Sequence, residues 1–132
     1  MIMKQFLTFI TILVLTACLC RAEVFEITGK TKTYTAKVTF LEGQPVKGSN
    51  RVRIDIIDAS SRYVKDAQVE IEYLMPSLPG KPPMMDYHTT AKRVGAAYEA
   101  FLKLDMAGEW KMVLSITRTK RTEKATVGFV IR

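Results

Sequence analysis

The sequence predicts an all-β protein, an immunoglobulin-like antiparallel β-sandwich of seven or eight strands that follows an N-terminal signal or anchor segment. Three observations favour this fold class. Apolar and polar residues alternate with a period of two almost everywhere after Ala22, as in strands with one buried face. Turn-forming residues separate these stretches at short intervals, and no stretch after Ala22 has the apolar spacing of a helix. A small barrel is the alternative.

Each predicted strand has alternate apolar residues that are expected to face the core. These faces are Phe25 and Ile27; Tyr34, Ala36, Val38 and Phe40; Val52, Ile54 and Ile56; Val69, Ile71, Tyr73 and Met75; a weaker strand from about Asp86 to Val94; Tyr98, Ala100, Leu102 and Leu104; Trp110, Met112, Leu114 and Ile116; Ala125, Val127, Phe129 and Ile131. Clusters of Gly, Asn, Asp, Ser and Pro predict turns at 43–50, 58–61, 95–96 and 105–109. Polar neighbours such as Arg53 and Asp55 are expected to face solvent.

The first 22 of the 132 residues predict a signal segment, and 23–132 the folded domain. Lys4 is followed by sixteen uncharged residues, short of the roughly 20 apolar residues of a spanning helix. Leu15-Thr16-Ala17-Cys18 resembles a lipoprotein signal, which implies cleavage before Cys18, acylation of that cysteine and a lipid anchor in the membrane. Ordinary cleavage after Ala22 and an uncleaved anchor are the alternatives. The expected location is the periplasmic or extracytoplasmic face of a bacterial envelope.

Cysteine and charge limit the possible functions. Both cysteines precede Glu23, so neither a disulfide nor a thiolate metal site is expected in the folded part. The formal net charge is +7, and the densest basic run is 118–121. Because no aromatic residues interleave the bases, this run is interpreted as a solvated turn, near anionic lipid headgroups in one reading, and no nucleic acid partner is expected.

The 75–88 stretch contains four of the five prolines, three of the seven methionines and the single histidine. Proline fixes φ and removes a backbone donor, so the segment from Met75 to His88 is predicted to be a stiff, extended loop. Loops on a rigid scaffold often carry binding sites. Thioethers and imidazole are soft donors that suit Cu(I). The sequence therefore suggests Cu(I) as a possible ligand.

Antiparallel topology predicts that five donor residues gather at one end of the sandwich. Met75 and Met106 extend the inward faces of two strands that run in the same direction, and Met84, Met85 and His88 begin the strand between them. These five residues are the candidate metal ligands.

Simpler interpretations remain open for each of these residues. Methionine often fills gaps at the ends of cores, and a lone histidine often faces solvent. Trp110 and Met112 are expected in the core. No nucleophile motif, glycine-rich phosphate loop or three-histidine zinc set accompanies His88, so an enzyme is not expected. The two functional hypotheses are a Cu(I)-binding domain and a metal-free interaction module whose proline loop docks on another envelope protein.

Motifs between Gly43 and Thr117 resemble the YtkA-like domain, which is related to FixH-like proteins of bacterial envelopes. The matching residues are Gly48-Ser49-Asn50, Asp58, Ala67-Gln68-Val69, Met75-Pro76, Pro79-Gly80, Gly95, Tyr98 and Met106-Ala107-Gly108-Glu109-Trp110. The resemblance implies a small, non-enzymatic envelope β-sandwich associated with copper handling or with the assembly of membrane oxidases. Leu78 and Lys81 stand where methionines would often stand in that loop.

Overall fold

The computed structural model describes residues 24–76 and 84–132, with the backbone alone for 84–86. The predictions for residues 1–22, including acylation of Cys18, and for the centre of the proline loop lie outside the described residues. Nine strands are present in the described part: β1 Phe25–Lys30, β2 Thr35–Phe40, β3 Gly48–Ile57, β4 Gln68–Met75, β5 Met84–Thr90, β6 Lys92–Val94, β7 Ala97–Leu104, β8 Gly108–Arg118 and β9 Arg121–Ile131. This part has no helix long and apolar enough to cross a membrane.

The strands form two antiparallel sheets, with the orders β1-β2-β3-β7-β6 and β5-β4-β8-β9. The predicted β-sandwich is therefore confirmed. Because neighbouring strands alternate in direction, their connections collect at two ends. We call the end where β4 finishes and β8 begins the Met end; the connections 41–47 and 105–107 also lie there. The opposite hairpin end is formed by 30–34, 57–67, 91–96 and 117–124.

The core lies between the sheets and consists of the inward faces that the alternation predicts. Val52, Leu102, Trp110 and Ile116, for example, are each at most 1% exposed. The prediction that Asp55 is exposed is wrong. Asp55 is buried on the outer face because the 58–67 connection folds over it, and Arg53 lies beside its carboxylate at 3.4 Å.

The predicted strand at 86–94 is divided between the two sheets. Up to Thr90 the chain pairs with β4, and from Lys92 it pairs with β7. The crossing residue is Ala91, which is buried and donates its backbone N–H to the Val69 carbonyl at 2.9 Å. This division makes the strand count nine instead of eight.

The sandwich is closed along one side by β1 and β9, and Gly29 permits their close approach. A Cβ added at Gly29 would lie 2.8 Å from Cγ1 of Val127 and 3.3 Å from Cβ of Ala125. Both distances are shorter than ordinary van der Waals contact, and the side chain of valine is stiff. Glycine at this position therefore allows the edges of the two sheets to meet.

The β8–β9 hairpin has two central residues, Thr119 and Lys120, with φ of 50° and 61°. A two-residue hairpin turn of this kind favours Asn-Gly, and left-handed backbone costs other residues about 1–2 kcal/mol each. We expect Thr119→Asn with Lys120→Gly to raise the free energy of unfolding by about 1–2 kcal/mol, measured by urea denaturation. Lys120→Ala removes the same charge but retains Cβ, so it should give no gain. Equal gains from both variants would contradict the backbone explanation.

Candidate metal-binding site at the Met end

Met75 meets the 105–109 bend directly. A Cβ added at Gly108 would lie 2.8 Å from Cε of Met75, so the methyl group of Met75 covers this glycine. Gly108 has φ of 131°, a conformation that residues with a side chain rarely adopt. Met75 is half-buried and packs against the core. The predicted meeting of the end of β4 with this bend is therefore confirmed, and one thioether is placed at the surface end of the core.

The backbone of β5 brings Met84 to Met75. Leu74 lies opposite Asp86, but Met75 lies opposite Met84, so the register shifts at this point. Met85 is the extra residue of the resulting irregularity, which bends the strand locally. The side chains of these two methionines lie outside the described part. The backbones of residues 75 and 84 are therefore paired at the Met end.

Met106 lies in the bend itself and is 36% exposed. Its backbone carbonyl accepts a hydrogen bond from Nε1 of Trp110 at 3.0 Å. The indole ring is buried in the core, so this bond fixes the bend to the most rigid part of the sandwich. The expectation that Trp110 is a core residue is confirmed, and its N–H has a structural role that the sequence did not indicate.

His88 lies on the other face of the sheet. It is exposed and stands opposite Glu72, on the outer side of β4 and β5. It lines an open groove of about 380 Å³ together with Glu70, Thr90, Ser115 and Lys124. Three strand residues separate the positions opposite His88 and Met84, about 10 Å along β4. The structure thus brings the Met75 side chain to Gly108, in the bend that contains Met106, and pairs the backbones of Met75 and Met84, but places the imidazole on the other face.

Two tyrosines, Tyr73 and Tyr87, support the Met end. The rings of Tyr73 and Tyr87 stack with centroids 5.2 Å apart, and Tyr73 also lies 6.1 Å from Trp110. The Tyr87 hydroxyl donates to Oδ2 of Asp105 at 2.9 Å, and the Tyr73 hydroxyl accepts from the backbone N–H of Lys103 at 3.0 Å. Both bonds join the four-stranded sheet to the end of β7 in the other sheet.

The hydrogen bond to the Asp105 carboxylate raises the pKa of Tyr87 above its ordinary value of 10.0, and desolvation and the charge of Asp105 act in the same direction. A phenol whose pKa is higher in the folded state stabilises the fold below pH 10, and this contribution is lost as the pH rises through the folded pKa. We expect Tyr87→Phe to lower the free energy of unfolding at pH 7, and the difference from wild type to shrink above pH 10. Chemical denaturation at several pH values measures this effect. Tyr63→Phe, at an exposed position, is the control and should leave the wild-type pH profile unchanged. A constant difference between wild type and Tyr87→Phe from pH 7 to 11 would contradict the assignment.

A shallow groove of about 420 Å³ adjoins the Met end on the outer face of the four-stranded sheet. Pro76, Lys111 and Val130 line it, and Gly128 forms its floor. Val130 is 52% exposed, and a Cβ on Gly128 would have no atom nearer than 3.7 Å. The groove is therefore open, partly apolar and next to the first proline of the 76–83 segment.

Hard or borderline metals have no obvious ligand set in the described part. Residues 24–76 and 84–132 contain no group of three or more His, Cys, Asp or Glu side chains placed to share an ion. Zinc sites normally use such groups. The donors that the Met end offers are thioethers, which favour soft ions.

Comparison with known proteins identifies the family to which the chain belongs. No curated protein is a significant sequence match. The soluble domain of PmoD from Methylocystis sp. ATCC 49242 (Rockwell) has a similar fold, with a TM-score of 0.54 over 80% of this chain and 97% of that domain. The two sequences are 13% identical, so the similarity concerns the fold alone. The model of the YtkA-like family matches residues 28–115, two thirds of the chain. The chain therefore belongs to the YtkA-like family.

Proposed function

We propose that this protein is a non-enzymatic binding domain of the bacterial envelope that holds Cu(I) at the Met end. The ligands are drawn from Met75, Met84, Met85 and Met106. His88 contributes only if the 84–88 strand rearranges, because its ring lies on the outer face. The observation that carries the proposal is the contact of the Met75 methyl group with Gly108, opposite the start of β5.

The chemistry of the donors supports Cu(I) over other ions. Thioethers are neutral and polarisable, and Cu(I) accepts few sulfur or nitrogen donors without a demanding geometry. Met75 and the Met106 backbone are both fixed to the core, by packing and by the Trp110 hydrogen bond. A partly preorganised site loses less conformational entropy when it binds. The membership in the YtkA-like family, which the sequence resemblance associates with copper handling, points in the same direction.

A competition titration with a chromophoric Cu(I) chelator tests the proposal. Cys18 and Cys20 should first be replaced by serine, because thiolates would otherwise bind Cu(I) themselves. We expect about one Cu(I) per chain, and we expect Met84→Leu with Met85→Leu to weaken binding at least about tenfold, which corresponds to 1.4 kcal/mol.

The matched control is Met112→Leu. Met112 is a fully buried methionine of β8, so this substitution changes the same chemical group away from the Met end. It should leave Cu(I) affinity unchanged. His88→Gln removes the imidazole and retains all the thioethers, and it should change Cu(I) affinity only slightly. Affinity unchanged in the Met84–Met85 double variant would rule out this site.

We also propose that Cys18 carries the lipid anchor. The Leu15–Cys18 motif supports this assignment. Metabolic labelling with an alkyne-bearing fatty acid should label the wild-type chain and the Cys20→Ser variant, but not Cys18→Ser. Label retained in Cys18→Ser would contradict the anchor.

The groove beside Pro76 favours a second candidate function, the docking of an envelope protein without metal. Its partly apolar lining and the exposed Val130 fit a protein segment better than a small ion. Gly128→Phe should fill the groove with little effect on stability, because a Cβ at this position meets nothing closer than 3.7 Å. Crosslinking in cells should then lose a partner, while Cu(I) affinity remains. An unchanged crosslinking pattern would count against docking at this surface.

A further inference from the structure

The net charge of the protein lies at the hairpin end. The segments 30–34, 57–67, 91–96 and 117–124 contain ten Lys and Arg and three Asp and Glu, a net charge of +7. The whole chain has 20 bases and 13 acids, also a net charge of +7. The rest of the chain is therefore neutral. In the sequence the bases are dispersed, and the alternating direction of the strands brings them to one end.

Hydrogen bonds join these four segments into one surface. Glu123 accepts the backbone N–H of Thr33 at 2.8 Å, which ties 30–34 to 117–124. Arg118 forms an ion pair with Asp66 at 2.9 Å, which ties the hairpin to 57–67. Arg93 donates to the Lys65 carbonyl at 3.2 Å and so attaches 91–96. The surface is therefore a property of the folded domain and not of one mobile turn.

The three acids at this end are occupied within the fold. Asp58 accepts hydrogen bonds from the backbone N–H groups of Ser60 and Arg62. Asp66 forms an ion pair with Arg118, and Glu123 accepts the backbone N–H of Thr33. Burial alone would raise the pKa of Glu123, but hydrogen bonding to Thr33 and the charge of Arg121 outweigh it, so the pKa is lowered and the carboxyl stays ionised. In the described part, Arg118–Asp66 is the one ion pair at the hairpin end. Most of the bases there project into solvent.

Two apolar side chains project among the bases. Tyr63 is 54% exposed and Val94 is 52% exposed, and both line a small cavity beside the hairpin end, on the outer face of the five-stranded sheet, which Asp55 and Glu99 also line. Tyr63 follows Arg62, and Val94 follows Arg93. A purely electrostatic site for a soluble polyanion needs no such residues. A membrane interface uses them, because tyrosine and aliphatic tips enter the headgroup layer while bases bind lipid phosphates.

We propose that the hairpin end is a docking surface for an anionic phospholipid bilayer, with the bases bound to headgroup phosphates and Tyr63 and Val94 inserted between the headgroups. The first described residue, Val24, lies at the opposite, Met end, so in a chain acylated at Cys18 the hairpin end would face a second bilayer and not the one that holds the anchor. This contact uses no residue of the proposed Cu(I) site and stands whether or not that site binds metal.

Co-sedimentation of the full chain with phosphatidylcholine vesicles, with and without phosphatidylglycerol, tests the proposal. The part of the chain before Val24 is the same in every variant, so differences between variants report on the folded domain. Lys32→Gln, Arg62→Gln, Lys92→Gln and Lys120→Gln remove one exposed base from each of the four segments. A base near an anionic surface strengthens binding about fivefold, so we expect the quadruple variant to bind anionic vesicles at least about 100-fold more weakly.

The matched control is a second quadruple variant, Lys47→Gln, Arg51→Gln, Lys103→Gln and Lys111→Gln. These exposed bases lie towards the Met end, and the two variants have the same net charge. The control should retain most of the binding to anionic vesicles. Equal losses in both variants would mean that only net charge matters and would overturn the proposal.

Tyr63→Ser with Val94→Ser separates a bilayer from a soluble polyanion. We expect this variant to bind anionic vesicles several-fold more weakly, and inorganic polyphosphate as tightly as wild type does. Unchanged vesicle binding, or an equal loss of affinity for vesicles and polyphosphate, would contradict the insertion of Tyr63 and Val94 between headgroups. It would also contradict a lipid bilayer as the partner. All six substituted side chains at this end are exposed, and thermal unfolding checks that the variants fold.

Discussion

Trp110→Ala should lower the free energy of unfolding by about 3–5 kcal/mol, the range found when buried large aromatic residues are truncated. Trp110 is 1% exposed and is among the largest fully buried side chains of the described part. The substitution leaves a cavity beside Tyr73 and removes the hydrogen bond to the Met106 carbonyl. Urea denaturation measures the loss. A change below about 1 kcal/mol would mean that this region is not the packed base of the Met end.

Trp110→Phe separates the two roles of the side chain. Phenylalanine keeps an aromatic ring in the core but lacks the indole N–H, so the 105–109 bend is no longer fixed at Met106. We expect a smaller loss of stability, about 1–3 kcal/mol, from the lost volume and hydrogen bond. We also expect weaker Cu(I) binding if the bend positions a ligand. Stability lost to the same extent as in Trp110→Ala would mean that ring volume is unimportant.

Gly108→Ala should cost about 2–4 kcal/mol, because it adds backbone strain to a steric conflict. Its φ of 131° disfavours any side chain, and the new Cβ would lie 2.8 Å from Cε of Met75. Met75 must then move, and with it the thioether at the Met end. Chemical denaturation measures the first effect, and the Cu(I) titration measures the second.

Gly48→Ala is the matched control for this substitution. Gly48 also has a left-handed φ, of 110°, but a Cβ there would have no atom within 4 Å. It should therefore cost only the backbone strain, about 1–3 kcal/mol, and leave Cu(I) affinity unchanged. Equal losses of stability and equal Cu(I) affinities in the two variants would mean that Met75 does not rest on Gly108.

The fold was largely predictable because strands with one buried face show alternating apolar and polar residues in the sequence. The faces of Tyr34–Phe40 and Trp110–Ile116, among others, alternate strictly and are buried as expected. The division at Ala91 was not predictable, since it depends on which strand pairs with each half. Asp55 was misjudged because its burial comes from the 58–67 connection and not from its own strand.

The candidate site was predictable in its backbone and less so in its side chains. Topology correctly placed Met75 at the bend that contains Met106, because strands that run in the same direction end at the same edge. It did not decide the parity of the weakly patterned β5, in which Tyr87 takes the inner face and His88 the outer one. The concentration of positive charge at the hairpin end was also not predicted, since its bases are far apart in the chain.

The transfer of the chain at Ala91 has a mechanical consequence. β5 is an edge strand whose backbone pairs with β4 alone, whereas the residues after Ala91 pair with β7 in the opposite sheet. A strand that peels from its partner, beginning at Met84, must stop where its anchorage changes sheet. The peeling segment therefore extends over about seven residues, with Ala91 as a fixed hinge, and its opening breaks the contacts of Tyr87 with Tyr73 and Asp105. Backbone amides of β5 should accordingly exchange with deuterium sooner than those of β4 or β8.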